Sequence, residues 1–186
     1  MPEPPDSAVD VTPDVFRAVM GRFVTGITVV TTLKDGQPQG ITVNALSSVS
    51  LEPPLVMVAL DRRRFITPFV RAARRYAVNV LSEEQQALSD CFAGAPVEPG
   101  RDAFCGARWA PGTTGLPLLD GAIATLECTV VQTFEAGDHE LFIGRVDALG
   151  SDERRPMPLL YYRRQYLRIQ RSEATPLEGI PEHGDG

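Results

Sequence analysis

Apolar residues in this chain fall in short, β-branched runs bounded by turn residues. TGITVVTTL meets a KDGQ turn before PQGITVNALSSVSL, so residues 25 to 50 read as a hairpin. LVMVALD, residues 55 to 61, is a continuous apolar run suited to a strand buried on both faces. YAVNVLS gives another strand. Further on, Leu126, Cys128, Val130 and Phe134 alternate with Thr125, Glu127, Thr129 and Thr133 across a turn at Ala136-Gly137-Asp138, predicting a long hairpin. A last strand falls near PLLYYRRQYLRI. Helical signals are few and short. Thr12-Pro13-Asp14 caps VFRAVMGRF, Thr67-Pro68 marks the start of FVRAARR, and EEQQALSDCFAG makes a third short helix. Residues 94 to 121 are rich in Gly and Pro with little periodicity and predict a long loop. At least six strands joined mainly by hairpins, against three short helices, favour a mainly β, antiparallel barrel.

The 186 residues, 43% of them apolar, make one globular domain with a sizeable core. Both ends are rich in Pro, Gly or acid, so residues 1–11 and 171–186 read as disordered tails around a domain at 12–170. A net charge of -6 gives no sign of a nucleic-acid or membrane-surface protein, and no apolar stretch approaches a membrane span. Cys91, Cys105 and Cys128 are odd in number and lack CxxC spacing, which argues against a disulfide framework or zinc site and for a reducing cytoplasm. Phosphate-loop, dinucleotide, zinc-protease and serine-hydrolase motifs are absent. Of two histidines, His183 lies in the C-terminal tail, leaving His139 as the candidate imidazole; no metal site is expected.

FRAVMGRFVTGITVVTT, GITVNALSSVSLEPPLVMVAL, YAVNVLSEEQQALSDCFA, LECTVVQTFEAGDHELFIGRV and PLLYY, in that order, resemble the short-chain flavin reductases. The resemblance spans about residues 16 to 167. It implies a six-stranded antiparallel split barrel of Greek-key type, a homodimer, and hydride transfer from NAD(P)H to FMN or FAD for a separate monooxygenase. It also implies residue roles. Thr42, Val43, Asn44 and Ala45 match the segment under the flavin ring, where backbone N–H groups and the Asn amide reach the pyrimidine end and Ala45 leaves room for the ring. Ser48, Val49 and Ser50 match the next part of the groove, although Thr and Ser also suit any half-exposed strand. The phosphate falls to DRRRFITP, with Arg62 and Arg64 as cationic donors and free N–H groups at the helix opening near Thr67; at least two of the three arginines there are expected merely to be solvated. Asn79 sits where a flavin-side strand runs, or equally is a buried amide bonding neighbouring backbone. His139 stands near the reactive face, to orient the nicotinamide or simply to close a turn.

Two departures from the family pattern bear on substrate preference. Asp102-Ala103-Phe104 replaces a common Asp-Arg-Phe, and Arg164 stands where a Gly is frequent. Without a Rossmann fingerprint, hydride donor and flavin must share one groove. A flavin-retaining enzyme with its own organic substrate, or a flavin-binding module without turnover, would show the same motifs.

Overall fold

Thr12 caps the first helix as its position predicts. Its hydroxyl accepts a hydrogen bond from the Val15 N–H at 3.3 Å, and helix α1 runs Pro13–Met20 to a stop at Gly21. The computed structural model describes residues 10–94, 104–152, 154 and 157–169, so the expected tails and Asp102-Ala103 lie outside the described residues, Asp10 and Val11 excepted. Although α1 is amphipathic it buries none of its residues: Phe16, Val19 and Met20 are 58%, 60% and 50% exposed.

Strands β1 (Thr25–Gly26), β2 (Thr28–Lys34), β3 (Gln37–Val43), β4 (Leu46–Leu51) and β5 (Pro54–Asp61) follow. Next come α2 (Thr67–Ala73), β6 (Arg75–Val80), a 3-10 turn at Glu83–Gln85 and α3 (Gln86–Phe92). The chain continues through β7 (Trp109–Pro111), β8 (Pro117–Leu119), β9 (Ala124–Ala136), β10 (His139–Ser151), β11 (Leu160–Tyr162) and β12 (Gln165–Leu167). Seven strands form one antiparallel sheet in the order β3-β2-β6-β9-β10-β5-β4. Its two edge strands, β3 and β4, are consecutive in sequence and joined only by Asn44 and Ala45. The two-residue link brings these edges near each other at one end, so the sheet curls into a barrel that stays split between β3 and β4.

PQGITVNALSSVSL is therefore two strands rather than one arm of a hairpin. β3 pairs with β2, whereas β4 pairs with β5. β5 also departs from expectation, because only Val56, Val58 and Leu60 are buried while Leu55, Met57 and Ala59 are half-buried. It lies next to the sheet edge, where its outer face is only partly covered. Inside the barrel, Val30, Ile41, Val43, Val58, Leu60, Tyr76, Val78, Cys128, Val130 and Phe142 form one apolar core that α2 closes with Val70. Removing side chains of this size from water is the main driving term of the fold.

A second core packs on the outside of β2, where Ile27, Val29, Leu81, Phe92, Phe104, Leu119 and Leu159 meet. Gly40 is required here, since a Cβ on it would sit 2.6 Å from the Phe92 ring. The predicted 94–121 loop is partly ordered by β7 and β8, which pair as a small hairpin. It also returns Cys105 to α3, forming a Cys91–Cys105 disulfide with a Cα separation of 6.1 Å. This corrects the expectation of unpaired thiols: a sequence separation of 14 carries no sign that a loop brings its ends together. Cys128 remains free and buried, and burial pushes its thiol up to about 12.

Candidate active site

The Asn44-Ala45 link is exposed, between buried Val43 and half-buried Leu46. It is held by the Ala45 carbonyl, which accepts from the Ala59 N–H at 3.2 Å. β4 pairs with β5 on one side and, among the described residues, has no strand on the other, so alternate backbone groups face outward without a strand partner. Along that edge lie Ser47, Ser48, Val49 and Ser50, with a register shift between Ser48 and Ser50 that leaves Val49 52% exposed. Thr42 differs from them. Its hydroxyl donates to the Ser89 carbonyl at 2.6 Å and so fastens β3 to α3, while the Val43 side chain belongs to the barrel core.

The register of β5 on β10 places Asp61 opposite His139, and the Arg62 N–H donates to the Asp138 carbonyl at 3.0 Å. The link, the arginine turn and His139 therefore gather at one end of the barrel. The three arginines are not equivalent. Arg62 pairs with Glu135 at 3.1 Å, and Arg63 grips Asp61 through Nε at 3.0 Å and Nη2 at 2.7 Å. Arg64 has no carboxylate within ion-pair distance among the described residues; its guanidinium lies near Gly94, 3.6 Å from where a Cβ would stand. The Asp61 carboxyl is held well below its ordinary range, chiefly by the hydrogen bond from Arg63.

At the helix opening the donors from Thr67 onward are already engaged. α2 begins after Ile66, not at a capping Thr67, and the N–H groups of Thr67, Phe69 and Val70 donate to Arg64, Ile66 and Ile66 carbonyls. Thr67 is fully buried and its hydroxyl donates to the Asp61 carbonyl at 2.8 Å, bracing the turn from beneath. Asn79 is likewise internal. Its Nδ2 donates to the Val29 carbonyl at 3.1 Å and Thr31 Oγ1 at 3.2 Å, and its Oδ1 accepts from the Leu119 N–H at 2.8 Å. That geometry matches the backbone-bonding reading of this residue.

His139 is half-buried and its Nδ1 lies 2.7 Å from Asp138 Oδ1, which leaves Nε2 for a ligand. Asp138 sits below its ordinary pKa, first because of that hydrogen bond. Sequence reading singled out the imidazole and passed over this carboxylate, although an acid directly before the His is visible in GDH. It also missed Glu140, only 4% exposed, which holds Arg71 of α2 through Nε at 3.2 and 3.1 Å. Nothing in the sequence links those two residues, which are 69 positions apart. A cleft of about 790 Å³ lies elsewhere, lined by Ser82, Glu84, Arg108 and Asp120 among others, and shares no residue with this end of the barrel.

A split antiparallel barrel that offers a polar strand edge, with a guanidinium free of carboxylate partners among the described residues on the turn after the neighbouring strand, has the donor set for a planar, phosphate-bearing cofactor. The chain belongs to the family described as flavin reductase like domain, whose model matches residues 20–170. It is 37% identical over 170 residues to the reductase subunit HsaB of a flavin-dependent monooxygenase from Mycobacterium tuberculosis, covering 91% of this chain and 89% of that protein. An NADH-dependent flavin reductase of Rhodococcus sp is 41% identical over 151 residues, covering 80% and 82%. Among solved structures, the Streptomyces globisporus NADH:FAD oxidoreductase SgcE6 is similar with a TM-score of 0.81 and 35% identity, over 90% of this chain and all of that one.

Proposed function

We propose that this protein is an NAD(P)H:flavin oxidoreductase that reduces FMN or FAD and supplies the reduced flavin to a partner monooxygenase. The observation that carries this is the unpaired β4 edge, with the turn bearing Arg64 following directly on its partner strand β5, in a chain of the flavin reductase family. The residues present fit a flavin. Asn44, with the backbone of Ala45 and of Ser48, Val49 and Ser50, offers donors and acceptors to a ring edge, and the Ala45 side chain is too small to obstruct the ring. Arg64 takes the phosphate; Arg62, engaged with Glu135, and Thr67, engaged with Asp61, shape that turn. Bound flavin supplies the hydride acceptor. Asp138 fixes His139, and His139 orients the nicotinamide, because hydride transfer needs a dry stacked geometry and no proton donor at the transferring carbon.

Among the described residues the outer side of β4 carries no strand, and α1 leaves Phe16, Val19, Met20 and the following Phe23 exposed. Both features support a homodimer. Among the described residues no helix is long and apolar enough to cross a membrane, and we place the protein in the cytoplasm, where NAD(P)H is available. The domain of this reading spans residues 12–170, of which the family match covers 20–170.

The deciding assay follows nicotinamide absorbance with NADH or NADPH while FMN or FAD is added. Rapid oxidation that depends on added flavin is expected. Retained yellow colour with slow oxidation would instead indicate an enzyme keeping its flavin for its own substrate, and no oxidation a binding module.

A further inference from the structure

The hairpin of β11 and β12 turns through two residues, because Tyr162 pairs directly with Gln165. Such a turn needs left-handed backbone at both central positions, for which Asn and Gly are the favoured residues. Here they are Arg163, with φ 49°, and Arg164, with φ 66°. Long side chains are disfavoured in that conformation, and residues held in it cluster where a side chain has a function.

What lies around the turn suggests that function. The Arg163 N–H donates to the Gly21 carbonyl at 2.7 Å, docking the turn against the end of α1. Between them is a cavity of about 300 Å³ lined by Asp14, Arg17, Ala18, Gly21, Arg163 and Arg164. Asp14 is engaged with Arg17 at 2.7 Å, whereas Arg163 and Arg164 have no carboxylate within ion-pair distance among the described residues. Three guanidinium groups against one carboxylate leave an excess of two positive charges, in a chain whose net charge is -6. One arginine would suffice to complement the negative end of α1.

We infer that this notch is a second anion site, built for the phosphate ester or pyrophosphate of a nucleotide and separate from the Arg64 turn. Guanidinium forks match phosphate oxygens two at a time, which a turn carrying two adjacent arginines can exploit. The cavity has room for a phosphate group or two and not for a whole dinucleotide, so bases and sugars would lie outside it. Hydride donor and FAD both carry such a group.

The test is the double variant Arg163→Asn, Arg164→Gly, which installs the residues the turn prefers while removing both guanidinium groups. Its melting temperature should rise by roughly 2–4 °C, so lost binding cannot be ascribed to lost folding. Inorganic pyrophosphate is titrated by calorimetry at low ionic strength, with Arg64→Ala as common background to remove the flavin-phosphate site. Binding should be present with the natural turn and at least tenfold weaker with the altered one. Equal binding by the two proteins, or none by either, overturns the inference. Steady-state kinetics in the otherwise natural chain then identify the source: with binding lost, a raised KM for NADH assigns the site to the hydride donor. A raised KM for FAD with FMN unmoved assigns it to FAD, and no change in either assigns it to a separate phosphorylated ligand.

Discussion

Replacing Asn79 by Ala separates a structural amide from a flavin contact. The side chain is fully buried and makes three hydrogen bonds that tie β6 to β2 and to Leu119 of β8. Truncation leaves the Leu119 N–H without its acceptor, at about 1–3 kcal/mol for the buried group, and removes two donor contacts worth around 1 kcal/mol each. Because the amide donors vanish with the side chain, these terms overlap, and a total of about 2–4 kcal/mol is expected. For a domain of this size each kcal/mol moves the melting temperature by roughly 2–4 °C, so a fall of about 4–16 °C should appear in a thermal melt. Urea unfolding should show the same loss as a shifted midpoint with unchanged slope. Meanwhile the KM for FMN, measured well below the lowered melting temperature, should stay within twofold of the natural protein. A several-fold rise in that KM with an unaltered melting temperature would refute the structural assignment and return Asn79 to the flavin side.

Arg64→Ala should weaken FMN and FAD roughly tenfold to a hundredfold, from a charge-assisted contact of about 1.5–3 kcal/mol, and leave riboflavin unaffected; equal weakening of all three flavins would count against it. Ala45→Leu should abolish flavin binding with little change in the melting curve, and normal binding would remove residues 44 and 45 from the ring site. His139→Ala should raise the KM for NADH or slow flavin reduction in stopped flow while flavin affinity holds, so identical rates would reduce His139 to a turn residue. Asp61 and Asp138 have lowered pKa values in the fold, so their contribution is complete above the ordinary carboxylate pKa of about 3.9 and is lost as pH falls through the depressed values. The melting-temperature gap between natural protein and Asp61→Asn should therefore narrow steadily on acidification from pH 4 towards 2; a constant gap contradicts it.

Local signals in the sequence located most elements because they are short-range. Thr12 and Pro13 specify α1, and Gly137-Asp138 specifies the turn between β9 and β10. What could not be read was non-local. NALSSVSL looks like the continuation of β3, and only the pairing of Leu46 with Val58 reveals that the strand breaks at Asn44. The site followed the same division. Ser48, Val49 and Ser50 lie on the edge strand β4, but the separate fates of the three arginines depend on Glu135, which takes Arg62, and on Asp61 and Asp138, which lie by Arg63. Thr67 and Asn79 are polar residues in apolar runs, and sequence alone does not say whether such a group faces a ligand or its own backbone.

The two residues that join β3 to β4 act as a hoop fastener. Other neighbouring strands joined by short turns, such as β2 with β3 and β9 with β10, are also held by ladders of hydrogen bonds, whereas between β3 and β4 the peptide link is the tie and it acts at one end. Backbone donors can therefore be left unspent for a guest molecule while the link keeps the two edges near each other at that end. The same arrangement makes the seam intolerant of length change. Adding one residue between Val43 and Leu46 would slip β4 by a position and turn the serine face inward, so sequence variation at the seam should be confined to side chains.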